Sequence, residues 1–234
     1  MSDIANYLMF GIYPYIALTV LALGSAIRYD REPYSWRSGS SQLLRRRQLI
    51  LGSVLFHAGV LVIFVGHLGG LLTPIWVFDT LGIAHGSKQI LAILIGGIAG
   101  GFAFAGATLL LHRRLTDARI RMTSSLGDIL ILALLWMQLA LGLATIPVSM
   151  DHLDGAEMVH FMTWAQGIFT FDRSAAEHVH HASLVFKLHI ALGLTILLVF
   201  PFTRLVHLLS APVRYLFRPG YQIVRSRRLA ARQN

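Results

Sequence analysis

Cysteine is absent from the chain. That excludes disulfides and cysteine-ligated iron–sulfur clusters. Charge is sparse as well: Asp, Glu, Lys and Arg make up 13% of the 234 residues, against about 25% in a typical soluble domain. The few charges sit in blocks between long apolar runs. That is a membrane pattern, and it leaves no folded basic face on which nucleic acid could bind, so the net charge of +9 reads as topology. The N-terminus also lacks the basic region and small-residue cleavage site of a secretory signal. The first apolar run is therefore expected to remain in the mature protein.

In place of charge the chain has apolar length, with 55% hydrophobic residues. Five runs reach or approach the roughly 20 residues that cross a bilayer core. They lie near residues 6–27, 49–72, 90–111, 128–148 and 183–209. The expectation is an all-α membrane protein, a single membrane domain over 1–234 that ends in a polar tail at 210–234. Lys and Arg set the orientation. Six arginines (Arg28, Arg31, Arg37, Arg45, Arg46 and Arg47) separate the first two runs, four (Arg113, Arg114, Arg119 and Arg121) separate the third and fourth, and seven follow from Arg204 onward. The other two connections hold only Lys88 and Arg173. The N-terminus is thus expected on the periplasmic side and the C-terminus in the cytoplasm, with the basic segments facing anionic lipid headgroups or an acidic partner.

Against this background four histidines stand out. Imidazole at membrane depth is costly and usually functional. His189 and His207 lie 18 residues apart in the fifth run, five whole turns if it is one helix, so both point from one face. His57 and His67 lie 10 residues apart in the second run, roughly 80° apart around its axis. The two runs are antiparallel, which pairs His57 with His207 at one level and His67 with His189 at the other. The levels do not match in simple arithmetic: about 15 Å separates the histidines of the second run and about 27 Å those of the fifth. Tilt and a kink at Pro201 are expected to absorb the difference.

Two imidazoles per site, few other polar groups and glycines beside His67 suit bis-histidine b-type haem. Zinc and copper want more ligands, and without Cys-x-x-Cys-His no haem is attached covalently. The alternative reading of Gly66, Gly69 and Gly70 is close helix packing through small residues. That reading is preferred for the third run, with Gly96, Gly97, Gly100, Gly101 and Gly106. Met137 is a weaker axial candidate, since methionine commonly fills apolar gaps. A metal site at His178, His180 and His181 beside Glu177 is disfavoured, because a closed site wants four well-placed ligands and the segment has no thiol and no second ligand cluster. Residues 157–171 show helical spacing of aromatics and are expected to lie at the outer interface.

The motifs then resemble a known family. Ile12-Tyr13-Pro14-Tyr15, Arg28-Tyr29-Asp30, Leu55-Phe56-His57, FVGHLGGLLTP at 64–74, Asp154-Gly155-Ala156-Glu157-Met158, Trp164-Ala165-Gln166 and FPFTRLVH at 200–207 are similar to the gamma subunit of membrane-bound respiratory nitrate reductase. The resemblance covers nearly the whole chain. It implies a five-helix anchor in the bacterial cytoplasmic membrane with two haems b, the distal one ligated by His67 and His189 and the proximal one by His57 and His207. It implies oxidation of menaquinol or ubiquinol near the distal haem, with protons leaving outward. Electrons would pass inward to an iron–sulfur beta subunit and then to a molybdenum alpha subunit that reduces nitrate. Lys88 matches the quinol-site lysine; the residue-level alternative is an interfacial lysine that snorkels. Two competing functions remain at this level: a related cytochrome b anchor of a sulfur-metabolism or heterodisulfide-type complex, and a haem-free membrane anchor whose histidines relay protons.

Overall fold

A computed structural model describes residues 2–36 and 44–210. Arg37 of the first basic connector and residues 211–234 of the expected tail lie outside the described residues. The described chain is all-helical, and five of its helices are long and apolar enough to cross a bilayer. In chain order we label α1 (Asp3–Arg31), α2 (Arg46–Leu72), the short α3 (Ile75–Thr80), α4 (His85–Thr116), the short α5 (Ala118–Met122), α6 (Leu126–Met150), α7 (Ala156–Thr170) and α8 (Leu184–Val199). The long helices neighbour one another in the order α2, α4, α6, α8, α1. Among the described residues α2 packs along α4 and against α7, and has no extensive contact with α8.

Helix α1 contains one π turn, Leu8–Ile12, and the sequence supplies a cause. Pro14 has no N–H to give to the carbonyl four residues back. That carbonyl belongs to Phe10, and the buried indole Nε1–H of Trp164 donates to it at 2.9 Å. The same contact seats α7. Trp164, Ala165 and Ile168 pack with Phe10 and with Ala175, Ala176 and Val179 in one buried cluster. Helix α7 therefore forms a cap built into the bundle, whereas aromatic spacing alone placed it on the membrane surface. Its start is fixed by Gly155 at φ 85°. A Cβ there would lie 2.5 Å from the carbonyl carbon of His85.

The glycines divide into two groups. On the α2–α4 seam a Cβ at Gly59 would lie 2.3 Å from the Ala99 oxygen, and one at Gly106 would lie 2.4 Å from the Phe56 nitrogen. These are close-packing glycines. Gly66, Gly69 and Gly70 have no atom within 4 Å of such a Cβ, so close packing does not explain them. Gly96 and Gly101 on α4 are likewise open, which corrects the expectation that every glycine of that run packs. Gly59→Ala should accordingly destabilise the protein by about 1–3 kcal/mol through overpacking, while Gly101→Ala, on an open flank of α4, does not lower the melting temperature. Equal melting temperatures for the two variants would contradict the seam.

Three boundaries differ from the sequence reading. Helix α4 begins at His85, so Lys88 lies inside its first turn rather than before it. Helix α6 continues through Pro147 to Met150. It starts with a capping box in which Ser125 and Asp128 bond reciprocally, and Asp128 also meets Arg204 at 3.5 Å. The third difference matters most. The last apolar run is not one helix to residue 209, because α8 ends at Val199. A 3-10 turn follows at Phe200–Phe202, then extended backbone at Thr203 (φ −117°, ψ 178°), then a second 3-10 segment, Arg204–Ser210. Pro201 starts the break, and α1 receives it. The Arg28 guanidinium donates to the carbonyls of Pro201 and Thr203 at 2.5 and 2.8 Å, while Gly24 leaves room for the proline ring.

Candidate functional site

The break at Thr203 brings the histidines together. His57 on α2 faces His207 on the 3-10 segment with ring centres 6.4 Å apart, and His67 on α2 faces His189 on α8 at 6.3 Å. The same-face argument for His189 and His207 fails, since no single helix joins them. The pairing by level stands because the chain turns after α8. The excess length of about 27 Å over about 15 Å belonged to a straight helix that does not form.

The spacing has chemical content. A metal–imidazole bond of about 2 Å and about 1 Å from that nitrogen to the ring centre set the centres of two trans imidazoles about 6 Å apart. Both pairs match. Each ring's second nitrogen must be held for the first to present a lone pair. Nδ1 of His57 bonds the Ser53 carbonyl at 2.8 Å, Nδ1 of His67 the Ile63 carbonyl at 2.9 Å, and Nδ1 of His207 the Arg204 carbonyl at 2.6 Å. These bonds leave Nε2 as the free acceptor in three of the four rings. In the fourth, His189, Nδ1 is buried with no partner. Beside His67 the open flank of Gly66, Gly69 and Gly70 leaves space for a flat group. Among the described residues no cluster of three or more His, Cys, Asp or Glu side chains forms. Each pair thus offers two axial donors and no equatorial set, a donor pattern that fits a macrocycle carrying its own four nitrogens.

Lys88 of α4 reaches the end of α2 at Gly70, three residues after His67 in sequence. Its Nζ donates to the Gly70 carbonyl at 3.0 Å, contacts the Met162 sulfur at 2.8 Å, and lies 3.7 Å over the Phe78 ring. Gln166 of α7 donates to the Leu71 and Thr73 carbonyls, both at 3.0 Å. Lys88 and Gln166 therefore hold the last carbonyls of α2 from two other helices. Sequence reasoning missed Phe78, Met162 and the role of Gln166; polar residues next to an expected helix end were the only available signal.

The remaining histidines divide differently from their order in sequence. His178 faces His160 at 6.2 Å, His180 bonds Asp3 at 3.0 Å, and His85 bonds Asp79 at 3.2 Å. His178, His180 and His181 do not converge on one point. Met137 is 49% exposed on the flank of α6. Near His160, burial pushes the Glu157 carboxyl above the usual carboxylate range; His152 and His160 oppose the shift and Asp154 adds to it. Its Oε2 is buried without a partner. A raised folded-state value means that the folded protein holds this proton more tightly. Stability therefore falls as pH rises from the ordinary carboxylate range through the raised value. Glu157→Gln should flatten that fall in a melting profile against pH, and parallel profiles for the two proteins would refute it.

Residues 6–227 match the family described as nitrate reductase gamma subunit. The chain is 48% identical over 228 residues to the respiratory nitrate reductase 2 gamma chain of Escherichia coli K12, covering 97% of this chain and 100% of the relative. It is 48% identical over 222 residues to the respiratory nitrate reductase 1 gamma chain of the same organism, covering 95% and 98%. It is 38% identical over 223 residues to the nitrate reductase gamma chain of Bacillus subtilis 168, covering 95% and 99%. With five membrane-length helices and a match along nearly its whole length, the chain belongs to the nitrate reductase gamma subunit family, as a multi-pass membrane subunit of a nitrate reductase complex.

Proposed function

We propose that this subunit oxidises quinol and passes the electrons across the membrane. Two haems b would be held at two depths, one by His67 and His189 and one by His57 and His207. The observation that carries the reading is the pair of ring separations, 6.3 and 6.4 Å, at two levels of one bundle. His67 with His189, and His57 with His207, would hold these groups, and a haem so held would supply one-electron redox chemistry.

The chain's own residues do the rest. His67 and His189 fix the level nearer the N-terminal end, which positive-inside charge places outside the membrane. Lys88 lies at that same end, where α2 stops. Its ammonium, partly engaged by a weak sulfur acceptor, has a donor available for a quinol oxygen, and a quinol proton released there faces the outer side. His57 and His207 fix the level at the basic end, where His207 bonds the Arg204 carbonyl and Arg28 holds the Pro201 and Thr203 carbonyls. That end faces the cytoplasm, and the iron–sulfur and molybdenum subunits of the complex would dock there. The quinol is menaquinol or ubiquinol, and the membrane is the bacterial cytoplasmic membrane.

A reduced quinol analogue added to the intact complex under anaerobic conditions tests the reading. We expect b-type absorption bands to appear, and to bleach when nitrate is added. Failure of quinol to produce those bands, in a complex that reduces nitrate from an artificial donor, would refute it.

A further inference from the structure

Three of the four facing histidines stand on long helices, and His207 does not. Among the described residues its segment, Arg204–Ser210, packs extensively only against the 3-10 turn before it, Phe200–Phe202. Within the segment the ring is fixed, because its Nδ1 bonds the Arg204 carbonyl at 2.6 Å. Side chains tie the segment at two points, Arg204 to Asp128 at 3.5 Å and the Trp36 indole to the Ser210 hydroxyl. The place of His207 opposite His57 therefore depends on where the turn at Phe200–Phe202 sits. That turn packs on α1, which meets it with Gly24 and Arg28, about one helical turn apart.

Both residues fit the turn. A Cβ at Gly24 would lie 3.0 Å from the Cβ and Cγ of Pro201, so glycine lets the buried proline ring seat on α1. The carbonyls of Pro201 and Thr203 lie past the end of α8, where helical donors have run out and another must be found. Nη1 of Arg28 supplies both, at 2.5 and 2.8 Å. The short turn after α1 aims the rest of the guanidinium: Nη2 donates to the Ser35 carbonyl at 2.8 Å and Nε to the Ser35 hydroxyl at 3.2 Å. All three nitrogens are engaged, so one planar group joins the end of α1 to the break after α8. A guanidinium fork has a set direction that a lysine ammonium lacks.

We infer that Arg28 is a positioning residue for His207: by holding the Pro201 and Thr203 carbonyls it sets where the chain turns, and so keeps the His207 ring at ligating distance from the His57 ring. The inference rests on the haem reading above. The two levels differ in this respect. His67 and His189 are carried by α2 and α8 themselves, and no printed bond of Arg28 reaches either helix body; its partners are Ser35, Pro201 and Thr203. Loss of the guanidinium leaves two carbonyls without their donor at a break that a helix cannot bridge. The turn then shifts to find other partners, and the 3-10 segment with His207 moves with it. A trans pair of imidazoles leaves little tolerance, because a displacement of about 1 Å is half of a metal–nitrogen bond of about 2 Å.

The test is electron paramagnetic resonance of the oxidised intact complex. Ferric iron is low-spin with two axial imidazoles and high-spin with one, so the spectrum reads ligation at each level. In Arg28→Ala we expect the low-spin signal that disappears in His207→Ala to be lost and a high-spin signal to replace it. The signal that disappears in His189→Ala stays as in the wild type, and quinol still reduces that haem. Arg28→Lys keeps the charge without the fork and should show the same conversion in part. Wild-type spectra in Arg28→Ala would overturn the inference. So would equal loss of both low-spin signals, which is what a merely structural role in the bundle would give. If Arg28→Ala does not assemble, Arg28→Lys decides by itself, and a wild-type spectrum there overturns the inference. A wild-type complex without b-type absorbance would overturn the haem reading instead, and this inference with it.

Discussion

Replacing His67 or His189 by alanine is expected to halve the haem content, from two to one per chain, and to bring quinol-driven electron delivery to background. The argument is geometric. Each pair provides two donors with ring centres about 6 Å apart, and removal of one leaves a single axial ligand with no nearby His, Cys, Asp or Glu cluster to replace it among the described residues. The lost level is the one beside Lys88, so quinol oxidation stops even though the His57–His207 pair is intact. An artificial donor that reduces the soluble subunits directly should still support nitrate reduction. His57→Ala or His207→Ala should separate the functions in the other direction: quinol still reduces the remaining haem, and nitrate no longer reoxidises it. Quinol oxidation that survives His67→Ala or His189→Ala would break the assignment of pairs to ends.

The second large effect belongs to Lys88. Its Nζ is held by the Gly70 carbonyl, the Met162 sulfur and the Phe78 ring, all at the end of α2. A hydrogen bond from a charged group contributes about 1.5–3 kcal/mol. Lys88→Ala should therefore lower kcat/KM for quinol by about ten- to a hundredfold, while haem content and both optical spectra stay as in the wild type. Steady-state quinol oxidation by the purified complex measures this directly. Wild-type kcat/KM in Lys88→Ala would make Lys88 an interfacial lysine and nothing more.

Much of the fold is legible in the sequence because a bilayer imposes a single rule, apolar length. The five spans follow from it, and the rarity of imidazole at depth makes His57, His67, His189 and His207 visible against Leu, Ile and Val. Their pairing follows from antiparallel runs. What the sequence conceals depends on contacts distant along the chain. Pro201 signals an interruption, but whether a helix kinks or stops there depends on Arg28, 173 residues away, which takes the Pro201 carbonyl. The π turn in α1 follows from Pro14 only once Trp164 is known to reach the Phe10 carbonyl. Gly59 and Gly66 read alike in sequence, yet one touches the Ala99 backbone and the other borders open space. Gln138 is conspicuous as a polar residue in an apolar run, but its hydrogen bond to the His189 carbonyl requires the α6–α8 packing. The aromatic spacing of α7 shows a helix and not that a shared core with Phe10 buries it.

The most direct measurement is the haem content of the purified complex, taken with its reduced-minus-oxidised visible spectrum. Two facing histidine pairs predict two b-type haems per gamma subunit, non-covalently bound, with two resolvable midpoint potentials. A folded subunit that carries no b-type haem, or only one, would contradict the reading of the paired histidines.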